Sequence, residues 1–260
     1  MRLQAKKPIK IGNRTIGGPD MLICIPILEE EESGLERAAK NTIQLCPDII
    51  EWRADYFKDA CSPIKVMKEL NMLRSIIGEI PLIFTFRGSF EGGFIEVEEN
   101  IRYEIIRLVL CTGEVDAADI ELASRKNAVE EIRKEAYDHD IPLIISYHNF
   151  DETPSVEFLL NKIREEVALG ADIAKIAVMP KNEEDVLKLL SATLKARIEL
   201  PYTPLITVSM GALGIISRIA GGMFGSDMTF GAVEKTSAPG QIPIAELRAS
   251  IKTLLYRIRR

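Results

Sequence analysis

Histidine is nearly absent from this chain of 260 residues, with only His139 and His148 present. That scarcity argues against a histidine-rich transition-metal centre. Cysteine is sparse as well, and Cys24, Cys46, Cys61 and Cys111 show no CxxC spacing. They read as reduced, mostly structural thiols of a cytosolic protein. No segment approaches 18 uninterrupted apolar residues, and the stretch from Met1 to Lys10 has basic residues but no apolar h-region. Neither a membrane span nor a signal peptide is expected, and the predicted location is cytoplasmic. Charge of one sign is nowhere concentrated: 33 basic residues face 39 acidic ones, for a net charge of −6, and the longest like-charged run is Glu29-Glu30-Glu31-Glu32. Nucleic acid and anionic membrane surfaces are therefore poor main partners. The dinucleotide fingerprint GxGxxG is missing after the first predicted strand, where Pro26-Ile27-Leu28-Glu29 stands. No low-complexity linker divides the chain, so a single domain over residues 1–260 is expected.

What is present is a repeat of short apolar or β-branched runs: Met21–Ile27, Asp48–Asp55, Pro81–Arg87, Asp116–Leu122, Pro142–Asn149, Asp172–Met179, Pro204–Met210 and Met228–Val233, with starts 24 to 35 residues apart. Helical periodicity fills the intervals. Ser33 is the expected cap of a first helix ending near Cys46, and Ser62-Pro63 reads as an N-cap followed by proline in the first turn. Further helices are predicted over Glu96–Cys111, Ser124–His139, Thr153–Gly170, Asn182–Ile198, a short one near Gly211–Ala220, and Pro243–Ile258. Eight strict alternations imply parallel strands with right-handed crossovers closing into a (β/α)8 TIM barrel, with a doubly wound open sheet as the alternative. Ile9, Ile11 and Ile16 around Gly12-Asn13-Arg14 predict a short N-terminal β-hairpin before the repeat, at about residues 3–18.

One residue disturbs this pattern. In Asp172-Ile-Ala-Lys-Ile-Ala-Val-Met-Pro180, Lys175 shares one strand face with Ile173, Ala177 and Met179. Ala174, Ile176 and Val178 take the other, and a strand apolar on both faces belongs to a covered sheet. In apolar surroundings an ammonium loses protons more readily, and a neutral amine attacks ketones. Alternatively, Lys175 pairs with an acid or extends to water.

Other polar residues gather at strand C-termini, where a barrel places its chemistry. Glu51, Arg53 and Asp55 alternate on one face, forming either a self-neutralising ionic layer or a ligand-facing set in which the arginine fork is used. Arg87 ends the third strand before Gly88-Ser-Phe-Glu91-Gly-Gly93, and could be a loop-edge arginine paired with Glu91. The glycines flanking Glu91 indicate a loop that approaches something closely or moves. Asp119-Ile-Glu121 puts two acids on one face, where a salt bridge to Arg53 or Lys175 is as reasonable as catalysis. His148 ends the strand next to that of Lys175, close enough for imidazole and amine to reach one ligand. Arg218 lies on a short helical turn, as either a carboxylate clamp or a solvated surface residue. Glu234-Lys-Thr-Ser237-Ala-Pro-Gly240-Gln241 suits a lid or a plain connection.

In order along nearly the whole chain, the strings EWRAD, FTFRGSFEGG, ISYHNF, AKIAVMP, SMG…SRIAGGMFGS and SAPGQIP resemble those of the type I 3-dehydroquinate dehydratases. The resemblance implies a (β/α)8 barrel that dehydrates 3-dehydroquinate in the shikimate pathway through a lysine Schiff base, commonly as a homodimer and without metal or organic cofactor. Position by position, it implies that Lys175 forms the imine, His148 is the general acid/base and Glu91 assists it. It further implies that Arg218 grips the substrate carboxylate, Ser237 and Gln241 close a lid, and Glu51, Arg53 and Arg87 contact the ring hydroxyls. Two rival readings remain: a lysine-imine aldolase acting on a sugar phosphate, and a catalytically silent barrel that binds a small acid.

Overall fold

The apolar runs form strands because each can bury both faces, one inside a barrel and one beneath helices. The computed structural model describes residues 2–233 and 236–256. The barrel strands are β3 (Leu22–Ile27), β4 (Ile49–Arg53), β5 (Leu82–Thr85), β6 (Ala117–Glu121), β7 (Leu143–Asn149), β8 (Ile173–Val178), β9 (Leu205–Ser209) and β10 (Met228–Phe230). They pair in parallel in the order β10-β3-β4-β5-β6-β7-β8-β9. At the remaining seam Asp227 N–H donates to the Leu205 carbonyl at 2.7 Å, which brings β9 and β10 together at their starts. Helices α1 (Glu32–Ile43), α2 (Pro63–Ile77), α3 (Glu99–Leu110), α4 (Lys126–Asp138), α5 (Val156–Ala168), α6 (Glu183–Glu199), α7 (Ile215–Phe224) and α8 (Ile244–Tyr256) alternate with them. This is the expected eight-stranded TIM barrel. The antiparallel hairpin β1 (Ile9–Ile11) and β2 (Arg14–Ile16) sends Ile11 and Ile16 into the interior cluster with Leu22, Ile49, Ile144 and Ile173.

Several boundaries differ from the sequence reading. Ser33 lies inside α1, whose N-cap is Glu31, because Leu35 N–H already bonds the Glu31 carbonyl. Pro154 precedes α5, and Ser155 caps it by accepting the Phe158 N–H. The short helix near Gly211–Ala220 is α7, running to Phe224, since Gly211 to Gly214 forms a turn closed by Gly214 N–H on the Gly211 carbonyl. β10 stops at Phe230 because Ala232 N–H bonds the Ile242 carbonyl instead of a barrel strand. Glu234 and Lys235 of the predicted lid, and Arg257 and Ile258 of the predicted last helix, lie outside the described residues. Cys24 is buried, whereas Cys46, Cys61 and Cys111 are exposed, which corrects the reading of mostly structural thiols. All three lie in connections rather than under a helix face.

Candidate active site

Deep in the barrel the inward side chains are aliphatic; toward the C-terminal strand ends they become charged. Ile173 and Ala177 on β8 face the interior cluster, while Ala174, Ile176 and Val178 pack outward against α5 and α6. Lys175 sits between Ile173 and Ala177 on the inward face, 5% exposed, with Nζ 2.7 Å from Asp119 Oδ2 and 3.7 Å from Glu51 Oε1. Of the two readings of Lys175, the acid-paired one holds: the amine faces two carboxylates rather than apolar surroundings, with the Phe230 ring centroid 5.1 Å away. From outside the barrel, Glu166 on α5 accepts the Lys175 backbone N–H at 3.1 Å. Burial holds the Glu166 carboxyl well above its usual range.

Asp119 is the hub of this network. Besides Lys175 it meets Arg87 Nη2 at 2.8 Å and accepts from Ser146 Oγ at 2.7 Å. Burial alone would raise its carboxyl, but the Arg87 and Lys175 cations prevail and hold it well below the usual range. Arg87 is buried, not a loop-edge residue paired with Glu91: Nη1 donates to Glu121 Oε1 and Ser146 Oγ, both at 2.8 Å. Glu121 in turn binds Arg102 Nη1 at 2.7 Å and the Gly88 N–H at 2.9 Å, so its partners are Arg87 and Arg102 rather than Arg53 or Lys175. Register pairs Glu121 with Ser146 and Ser146 with Lys175, yet it is Asp119, two residues earlier on β6, whose carboxylate meets the amine.

Glu91 is freed for a different contact. Its Oε2 lies 2.9 Å from His148 Nδ1 and accepts the His148 backbone N–H at 2.9 Å. The second imidazole nitrogen, Nε2, is left for the pocket. Burial pushes the Glu91 carboxyl up to about 8, with Arg87 opposing, and burial together with the Arg87 and Lys175 charges holds His148 well below its usual value. The Glu91 loop is fastened rather than loose. A Cβ on Gly93 would fall 2.2 Å from the Arg87 carbonyl oxygen, a close approach open only to glycine. Asp55 accepts the Arg87 N–H at 3.3 Å and the Phe94 N–H at 3.0 Å, tying both ends of the loop. The same carboxylate receives the Arg53 fork at 2.8 and 2.7 Å.

Across the pocket, Arg218 on α7 is 1% exposed, which removes the surface-residue alternative. Its Nη2 donates to the Pro239 carbonyl at 2.9 Å, and its buried Nε has no hydrogen-bond partner. No carboxylate pairs with it among the described residues, and burial lowers its pKa to about 10. In the loop above, Ser237 N–H donates to Gln241 Oε1 at 2.9 Å and Gln241 Nε2 to Ser237 Oγ at 2.8 Å. Gly240, at φ +79°, packs so tightly on Gly211 that a Cβ would lie 2.1 Å from its carbonyl oxygen.

The nine residues singled out from the sequence, Glu51, Arg53, Arg87, Glu91, His148, Lys175, Arg218, Ser237 and Gln241, all line one pocket. Asp119, Ser146, Asp55 and Glu166 were not assigned a place in it. Asp55 and Asp119 carried a signal, an acid at inward period-two spacing with a cation; Glu166 carried only its position one turn after Ile163 on the apolar stripe of α5.

A family model of type I 3-dehydroquinase matches residues 23–256. The chain belongs to the type I 3-dehydroquinase family. It is 43% identical over 249 residues to the 3-dehydroquinate dehydratase of Geobacillus kaustophilus, covering 95% of this chain and 96% of the relative. It is 40% identical over 252 residues to that of Bacillus licheniformis, covering 97% and 99%. The crystal structure of the Geobacillus kaustophilus enzyme superposes with a TM-score of 0.95 at 42% identity, covering both chains fully. The type I enzyme of Clostridium difficile, solved with covalently modified comenic acid, superposes with a TM-score of 0.93 at 39% identity, covering 97% of this chain and 99% of that one. A 3-hexulose-6-phosphate synthase, 14% identical with a TM-score of 0.60, shares only the fold.

Proposed function

We propose that this chain is a 3-dehydroquinate dehydratase of the shikimate pathway, working through an imine on Lys175. The observation that carries this reading is the meeting, in one pocket, of the Lys175 amine with the neutral imidazole of His148. Lys175 Nζ adds to the C3 ketone and water leaves, giving a protonated imine. That positive charge beside C2 stabilises the carbanion or enamine formed when His148 Nε2 removes the C2 proton. The imidazolium then protonates the departing C1 hydroxyl, which leaves as water. Because base and acid are one residue, elimination is syn. Hydrolysis of the imine releases 3-dehydroshikimate and restores the amine. Glu51, Arg53 and Arg87 contact the ring hydroxyls, and Ser237 and Gln241 close over the ligand. The covalent ligand in the Clostridium difficile relative is consistent with a pocket that holds adducts.

Arg218 anchors the substrate carboxylate. Supporting this is its buried guanidinium without an acidic partner, which an incoming carboxylate would satisfy through two parallel hydrogen bonds. Arg218→Ala is expected to raise KM about 10²-fold, the loss of a charge-assisted bidentate contact of about 2 to 3 kcal/mol. Gln241→Ala, which removes one neutral contact, should raise it far less. Equal small effects in steady-state kinetics would refute the anchor.

Glu91 sets the proton count of His148. With the carboxyl neutral below about 8 and the imidazole neutral as well, the pair holds two protons. Losing one leaves Nδ1–H donating to the carboxylate and a lone pair on Nε2, the form that removes the C2 proton. Dehydration kcat/KM should therefore rise as pH increases through about 8, and Glu91→Gln should remove that inflection. An unchanged profile in the variant would assign the inflection to another group.

Homodimeric assembly and a cytoplasmic location belong to the same reading. Among the described residues no helix is long and apolar enough to cross a membrane. The deciding experiment is intact-mass analysis after mixing the protein with 3-dehydroquinate and borohydride, followed by peptide mapping. An adduct on the peptide carrying Lys175 is expected. Neither adduct nor dehydratase activity would overturn the function; activity without adduct would overturn the imine.

A further inference from the structure

Cys111 and His139 lie just ahead of β6 and β7, in the connections that feed the N-terminal ends of the barrel strands. They are therefore at the end of the molecule opposite the Lys175 pocket. Cys111 is the C-cap residue of α3 and His139 that of α4, with Glu135 one turn earlier on α4. Cys111 Sγ lies 3.2 Å from Glu135 Oε1, and His139 Nε2 lies 3.3 Å from the same oxygen. All three ligand atoms fall within 4.8 Å of one another.

We propose that Cys111, Glu135 and His139 form a surface site for one divalent ion of the zinc class, joining the ends of α3 and α4. Sulfur, oxygen and nitrogen ligands converging from two helices are the donor set this borderline-soft ion takes. Tetrahedral zinc, with bonds of about 2.0 to 2.3 Å, separates such ligands by about 3.3 to 3.6 Å. The Glu135 contacts, 3.2 and 3.3 Å, lie just below and at the short end of that range, and the third pair is within 4.8 Å, so side-chain rotations of these exposed or half-buried residues would admit the ion. Both helices also present their C-terminal carbonyl ends here, where partial negative charge favours a cation. The neighbouring cation is Arg107, whose guanidinium lies 3.5 Å from the other Glu135 oxygen, Oε2, and 3.7 Å from Glu131. It therefore engages the edge of Glu135 away from the proposed ion. Cys111 and His139 are exposed, so a fourth position is open to water or an exogenous ligand. The ion would tie α3 to α4 and take no part in the dehydration.

The test is titration of the full-length protein with cobalt(II) as a spectroscopic stand-in for zinc. One equivalent should produce the visible bands of a tetrahedral centre and a thiolate-to-metal charge-transfer band, both displaced by zinc. Cys111→Ser should abolish the charge transfer, and His139→Ala should weaken binding at least tenfold. Dehydratase activity should be unchanged in both apo variants. Zinc should raise the unfolding midpoint of the parent protein only, as expected for a ligand that binds the folded state. Absence of a charge-transfer band would overturn the proposal. So would a band that persists in Cys111→Ser, which would place the metal on Cys46 or Cys61, or zinc affinity that His139→Ala leaves intact.

Discussion

Lys175→Ala is expected to lose turnover by about 10⁴-fold or more and, in the same preparation, to lose the borohydride-stable adduct. The two losses must coincide, because without the amine there is neither a covalent electron sink nor an atom to reduce onto the ligand. The surrounding charges make this a clean substitution for folding. Asp119 keeps Arg87 at 2.8 Å and Ser146 at 2.7 Å after the ammonium is gone, so no carboxylate is left buried alone. Glu51 likewise retains the Thr85 hydroxyl at 2.8 Å. Any large drop in unfolding midpoint would therefore point to lost packing of the buried alkyl chain, and Lys175→Met would restore it without restoring activity. Residual turnover within about tenfold of the parent would sink the imine mechanism, since general acid/base catalysis alone supplies only about 10²- to 10⁴-fold.

Arg87 shows where sequence reasoning stops. Its place just after β5 and before a glycine loop was legible from the apolar run and the turn residues, but its burial was not. Its partners were not, because they belong to β6 and β7, and which acid meets which cation depends on strand stagger. A salt bridge from Asp119 or Glu121 to Lys175 was legible as one outcome, but that Asp119 rather than Glu121 makes it, two strands away, was not. Fold class was legible for the opposite reason: eight alternations and two-sided apolar strands are local signals repeated many times, each consistent with the next. Helix starts were less secure. Ser33 looked like a cap, yet the backbone already turns at Glu31, and the helix expected from Thr153 is capped only at Ser155. Glu166 is the clearest case of an illegible residue. A glutamate in a helix reads as solvent-facing, and only the packing of α5 on β8 turns it toward the Lys175 backbone.

His148→Ala should separate the two halves of the reaction that Lys175→Ala removes together. The amine remains, held by Asp119 at 2.7 Å, so imine formation should still occur on mixing with 3-dehydroquinate, though more slowly. Dehydration should fall by about 10²- to 10⁴-fold, the usual worth of a positioned general base. The expected signature is accumulation: borohydride should trap more substrate-mass adduct on Lys175 per active site than in the parent enzyme, while product appears slowly. The Glu91 carboxyl would then lose the Nδ1 contact but keep the backbone N–H at position 148, which the substitution leaves in place. The loop geometry is preserved by Asp55 and Gly93 rather than by the imidazole. Added imidazole is expected to recover part of the rate, because the side chain removed leaves room beside C2 and the imine is already in place. Steady-state turnover close to that of the parent would exclude His148 as the base. A variant that makes neither adduct nor product would give the histidine a role in forming the imine as well.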